Sequence, residues 1–226
     1  MKTPDLSFRI GHRERLRQKF LDDQLADYEL LELLLSFAIP RRDVRPLARG
    51  LMAKFGGIHQ VLTAPIEELM KYDGVGKNTA IFIKAIHKTM LLGYKACLDK
   101  RPVFHDEKIL TNYCKMLLSG KQKEEFHVLY LGADLRLLHH DLHSVGTVDS
   151  SAVYPREILK RALDVGARSV VLLHNHPTPC TSFSTEDIEI TDKIKEILEK
   201  VEIRLHDHYV VSGGLIYSAR NMFLLK

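Results

Sequence analysis

The sequence predicts an α/β domain in the C-terminal half of the chain and a small all-α domain before it. Two observations carry that division. Up to residue 98 the apolar residues recur at helical spacing: Leu16 and Phe20, then Leu30, Leu31 and Leu34, then Leu47, Leu51 and Phe55. From Glu124 onward the period changes, and short runs of β character alternate with amphipathic helical segments. Between them a polar stretch carries one helical apolar patch (Leu110, Tyr113, Cys114, Leu117, Leu118) and reads as a linker plus the opening helix of the second domain. The expected organisation is 1–98, 99–123 and 124–226.

Punctuation supports each element. Pro40, Gly56-Gly57, Pro65 and Gly74-Val75-Gly76 break the first domain into short helices joined by tight turns. In the second, two β-like runs flank Gly132-Ala133-Asp134, the later one reaching Thr147 and Val148. A helix follows, with Pro155 in its first turn and Gly166 near its end. Ser169–Leu173 is a compact apolar run of strand length, typical of a strand covered on both faces. Ser184 is a natural N-cap for the next helix, and a strand, a Gly213-Gly214 turn and a final strand close the chain.

Composition narrows the function classes. Of the 226 residues 45% are hydrophobic and 27% charged, an ordinary globular balance that needs no disulfide staples. A net charge of +4 permits a nucleic-acid contact without demanding one. Three cysteines, none in a CxxC pair, fit a reduced cytoplasmic protein. The opening residues lack an apolar signal region, and apolar runs such as Leu30–Leu35 fall far short of a membrane span, so no membrane partner is expected. Oligomeric state is not written in the sequence.

The chemistry concentrates at the end of the Ser169–Leu173 run, which leads into His174-Asn175-His176-Pro177. Residues i and i+2 of a strand point to one side, so both imidazoles can converge on one ion. Asp187, in the first turn of the following helix, can swing back as a third ligand. Two histidines, one carboxylate and a fourth position left for water form a catalytic rather than a structural zinc set, one Zn2+ per chain. A His-x-His pair alone is common in strands without any metal; the addition of Pro177 and Ser184-x-x-Asp187 makes the pattern specific. His139, His140, His143, His206 and His208 lack such a partner and are expected at the surface or behind a ligand, with Asp207 or His208 the candidate support for an imidazole.

His-Asn-His-Pro followed by Ser-x-x-Asp resembles the metal signature of the JAB/MPN (JAMM) metalloenzymes. Pro155-Arg156-Glu157 and Arg161-Ala162-Leu163 before it, with Gly11–Arg17, Asp27–Leu35 and Ala38–Ala48, make the chain similar to the RadC family over nearly its whole length. The resemblance implies a JAB/MPN-like, cytidine-deaminase-like mixed sheet with flanking helices. It also implies a zinc-dependent hydrolase acting on a peptide or isopeptide bond, in a family that carries a DNA-repair label. Ser184 takes the role of the serine that steadies the oxyanion. The catalytic glutamate would sit at the start of an early strand, where Glu124 and Glu125 both stand; adjacent strand residues face opposite ways, so only one can reach the metal. Glu157 ranks third. The chain departs from the family at Thr178-Pro179, where Ser-Gly is usual, and at Phe183, where a proline is usual.

In the first domain, Leu69–Ala80 is similar to a helix-hairpin-helix module. Its Gly74-Val75-Gly76 turn can present N–H groups to a phosphate with Lys77 beside them, a backbone contact independent of DNA sequence. A Gly-x-Gly turn also serves simply to reverse the chain or to contact protein. Arg13, Arg15, Arg17, Lys19, Arg41, Arg42 and Arg45 add positive charge nearby. The competing reading is a DNA-binding repair or recombination factor whose JAB domain is a non-catalytic platform. A nuclease ranks lower, because two-metal carboxylate clusters are the usual nuclease design.

Overall fold

The strand alternation read from the sequence sets the architecture of the C-terminal unit. The computed structural model describes residues 7–146, 153–180 and 182–225, so Thr147 and Val148 lie outside the described residues. Five strands, β1 (Glu124–Leu131), β2 (Leu137–Gly146), β3 (Ser169–His176), β4 (Arg204–Ser212) and β5 (Leu215–Ser218), form one sheet in the order β2-β1-β3-β4-β5. β1 is antiparallel to both β2 and β3, β3 and β4 are parallel, and β4 and β5 are antiparallel, so the sheet is mixed. Gly213 and Gly214 make the β4–β5 turn, both at positive φ (58° and 79°), which suits a two-residue hairpin.

Both faces are covered. Leu129, Leu131, Val171, Leu173, Tyr209 and Val211 point to α7 (Glu107–Leu118), which contributes Leu110, Tyr113, Cys114 and Leu118. Phe126, Val128, Tyr130, Val170 and Leu172 point to α8 (Pro155–Asp164) and α9 (Thr185–Glu199), which contribute Ile158, Ala162, Ile194 and Leu198. The alternation is strict in β1 and β3, and it decides which side chain reaches the metal side of the sheet. α9 is the crossover that makes β3 and β4 parallel, and it carries Asp187 to the C-terminal end of β3.

The N-terminal unit is helical: α1 (Ser7–Leu21), α2 (Asp27–Ala38), α3 (Arg45–Phe55), α4 (Ile58–Thr63), α5 (Ile66–Met70) and the start of α6 (Lys77–Lys100). Leu31, Leu35, Leu47, Leu51, Val61, Leu69 and Ile83 form its core. The buried stripe of α2 runs through Leu31 and Leu35 rather than Leu30 and Leu34, and Phe20 is exposed. The two compact units divide between His87 and Lys88, inside α6. Leu91, Tyr94 and Leu98 belong to the α7-side core of the second unit, so the helical pattern up to residue 98 does not coincide with a division in packing. No helix among the described residues is long and apolar enough to cross a membrane.

Candidate metal centre

β3 and the first turn of α9 bring His174, His176 and Asp187 together. His174 Nε2 lies 3.0 Å from His176 Nε2 and 3.0 Å from Asp187 Oδ1, and His176 Nε2 lies 3.1 Å from Asp187 Oδ2. Four ligands placed tetrahedrally at the usual zinc bond length of about 2.0 Å stand about 3.3 Å apart. The two imidazole nitrogens and the carboxylate, which meets one nitrogen with each of its oxygens, stand close to that spacing, and the donor set fits zinc. Ser184 caps α9: its Oγ accepts from Asp187 N at 3.1 Å, while Ser184 N donates to Asp187 Oδ2 at 2.8 Å. The capping box thus holds the ligand carboxylate in place.

Hydrogen bonds on the far side of each imidazole set its tautomer. Thr191 Oγ1 donates its one proton to the Asp187 carbonyl. It must therefore accept from His208 Nδ1, 2.6 Å away, which leaves His208 Nε2 to accept from His174 Nδ1 at 2.8 Å. His174 Nε2 then carries its lone pair toward the ligand cluster. Burial holds the fully buried His208 imidazole well below its ordinary range, with the neighbouring His174 adding to the effect, so it stays neutral. At His176, Nδ1 lies 2.7 Å from Cys180 Sγ, and that thiol donates to the Ser182 carbonyl at 3.3 Å; Sγ accepts, and His176 Nε2 is likewise freed for the ion. Replacing Thr191 with valine keeps the volume and removes the relay. Chelator competition should then show zinc affinity lower by about 10- to 100-fold, the usual cost of losing a group behind a ligand.

Electrostatics point the same way. Burial opposes the charge on Asp187, but the imidazoles of His174 and His176, when they carry a proton in place of an ion, outweigh it by hydrogen bonding and hold the carboxyl well below the usual range. The Asp187 hydrogen bond in turn pushes His176 up to about 9 against its burial. A half-enclosed carboxylate that stays ionised between two imidazole nitrogens is an arrangement that favours a divalent cation.

The strand register separates the two glutamates. Phe126 pairs with His174, and the same register carried two residues further faces Glu124 toward His176. A Glu124 carboxylate oxygen and one donor atom from each of His174, His176 and Asp187 all lie within 4.8 Å of one another. Glu125 faces the α7 side, bound to His127 Nε2 (3.1 Å) and Lys121 Nζ (2.9 Å). Glu157 is exposed on α8 and paired with Arg156. Among the described residues this is the one cluster of metal-ligand type.

Several contributors were not legible from sequence. Thr191 looks like any helix residue, and Cys180 has no metal-type spacing; it meets His176 because the Pro177–Pro179 segment turns back, with Ser212 Oγ accepting from Cys180 N at 2.8 Å. Of the two residues the sequence offered as support for an imidazole, His208 is the one buried against His174, and Asp207 instead accepts from Ser218 Oγ and Arg220 N. Phe183, one of the departures from the family pattern, is buried with its edge toward His174 and His208 (ring centroids 6.5 and 5.2 Å away) and walls the ligands from behind.

The five-strand mixed sheet and this cluster place the chain among JAB-domain proteins. Residues 104–223 match the family described as RadC-like JAB domain, and residues 10–81 match the family described as UPF0758 N-terminal. A UPF0758 protein of Fusobacterium nucleatum is 36% identical over 218 residues, spanning 92% of this chain and 94% of its own. One from Ruegeria pomeroyi is 38% identical over 217 residues, spanning 95% and 97%. The chain belongs to the RadC family.

Proposed function

We propose that this protein is a zinc-dependent hydrolase acting on a peptide or isopeptide bond in a reducing cytoplasm. The observation that carries the reading is Glu124: a half-buried carboxylate with an oxygen within 4.8 Å of a donor atom from each of His174, His176 and Asp187. His174, His176 and Asp187 would hold a zinc ion, which would supply a Lewis acid able to bring water ionisation down from about 15.7 to roughly 7. Glu124 takes the proton from the attacking water and delivers it to the departing amine nitrogen. The Ser184 oxygen uses a lone pair on Asp187 N–H, so its hydroxyl proton is left to donate to the carbonyl oxygen as that oxygen gains charge. With one cluster among the described residues and no second group of carboxylates, amide chemistry is favoured over phosphodiester cleavage.

Zinc-loaded protein incubated with peptides and with a lysine-linked isopeptide is expected to release new amine, and chelation of the zinc is expected to stop it. No amine release from fully loaded protein across these substrates would favour the non-catalytic platform. Cleavage of DNA in their place would favour a nuclease.

A second reading concerns the helical unit, as a helix-hairpin-helix contact to the DNA backbone. Much of its basic charge is engaged internally: Arg13 donates to the carbonyls of Ile39, Pro40 and Arg42, Lys19 pairs with Glu29, and Arg45 with the buried Glu32. Arg42 is different. Gly74 has φ of 88°, and a Cβ there would sit 3.3 Å from both Arg42 terminal nitrogens, so the guanidinium lies against the turn. Exposed Arg42 and Lys77 flank a shallow open hollow lined by residues 70–76. This arrangement favours a phosphate contact through Gly74, Gly76, Lys77 and Arg42. Binding to mixed-sequence duplex should weaken with salt, and Arg42→Ala or Lys77→Ala should each reduce the salt slope by about one. Salt-independent binding, or none at low salt, would contradict it.

A further inference from the structure

Asn175, between the two histidine ligands, has no place in the chemistry so far. Its side chain is 2% exposed and faces away from the metal side of the sheet. Its Oδ1 accepts from Glu125 N at 2.9 Å, and its Nδ2 donates to the Lys123 carbonyl at 3.1 Å. These two backbone groups flank Glu124 on either side. The β1–β3 pairing by main chain runs from Leu131 to Phe126 and reaches no further, so the segment carrying Glu124 is held to β3 by this one carboxamide.

We infer that Asn175 is a positioning residue that sets Glu124 at its distance from the ion. The inference rests on the reading of Glu124 as the proton-transfer group. The geometry explains why an amide is required: one side chain must accept from an N–H and donate to a carbonyl, and a buried amide unable to do both leaves an unsatisfied group. Because Asn175 lies between the ligands in sequence, it ties the first residue of β1 to the strand that carries both imidazoles. A rigidly held acid–base group is needed because its geometry decides the rate before its pKa does.

The test uses the full-length protein loaded with Co2+ and reads the pH midpoint of its visible absorption, which reports ionisations around the ion. Four proteins are compared: unaltered, Glu124→Gln, Asn175→Ala and the near-isosteric, uncharged Asn175→Leu. All should bind about one ion per chain, since no ligand is touched. Glu124→Gln should move the midpoint by about one pH unit or more, as expected for removing a charge within about 4–6 Å. Both Asn175 variants should move it in the same direction. The double variant Asn175→Ala, Glu124→Gln should move it no further than Glu124→Gln alone, because the two changes act through one group. If Glu124→Gln leaves the midpoint in place, the reading of Glu124 itself fails. If Glu124→Gln moves it and both Asn175 variants do not, only the positioning role fails. Loss of the ion in the Asn175 variants would assign the side chain to the ligand strand instead. Failure of both to fold would assign it to stability, which also overturns the inference.

Discussion

Replacing His174 with alanine is expected to strip the protein of its ion. Loss of a supporting hydrogen bond behind a ligand already costs about 10- to 100-fold in affinity, so loss of one of three protein ligands should exceed about 100-fold. The environment sharpens the expectation. His174 is fully buried, its Nδ1 is committed to His208, and its Nε2 lies 3.0 Å from both His176 Nε2 and Asp187 Oδ1. Elemental analysis of purified protein should find about one zinc per chain in the unaltered form and a small fraction of that in His174→Ala. Full occupancy in a His174→Ala, His176→Ala double variant would mean that the ion, if bound, sits elsewhere.

Glu124→Gln is expected to keep the zinc and lose the reaction. A positioned proton-transfer group contributes about 10²- to 10⁴-fold to rate, and glutamine preserves size and hydrogen bonding while removing the ability to take a proton. The matched control is Glu125→Gln. It disturbs the contacts to His127 and Lys121 on the opposite face, so it should cost some stability and leave the rate near that of the unaltered protein. Equal losses in the two variants would mean that the strand, and not the Glu124 carboxylate, matters. The contrast depends on one structural fact, the register of β1 on β3, which a shift by one residue would invert.

The elements of the C-terminal domain were legible because their patterns are local. The uninterrupted apolar run of β3 announced a strand buried on both faces, and the Ser184–Asp187 spacing announced a helix cap and brought the candidate ligand Asp187 to the histidines. The choice between Glu124 and Glu125 was not legible, because the phase of β1 is set by pairing with a strand some fifty residues away in sequence, and no local feature encodes it. The same holds for Thr191 and Cys180, whose roles arise from bonds to residues brought close by the crossover helix and by the loop after His176. In the helical unit, composition suggested a broad basic surface. Packing instead turned several of those side chains inward, onto helix-end carbonyls and a buried glutamate. The end of the helical pattern likewise failed to mark the division of the chain, since one long helix supplies apolar residues to both cores.

X-ray absorption at the zinc edge of the purified, zinc-loaded protein tests the central claim most directly. Nearest neighbours should be nitrogen and oxygen only, at about 2.0–2.1 Å, with the outer-ring signature of two imidazoles and no sulfur at about 2.3 Å. A sulfur neighbour would place Cys180 on the ion and contradict the assignment of His174, His176 and Asp187 as the protein ligands.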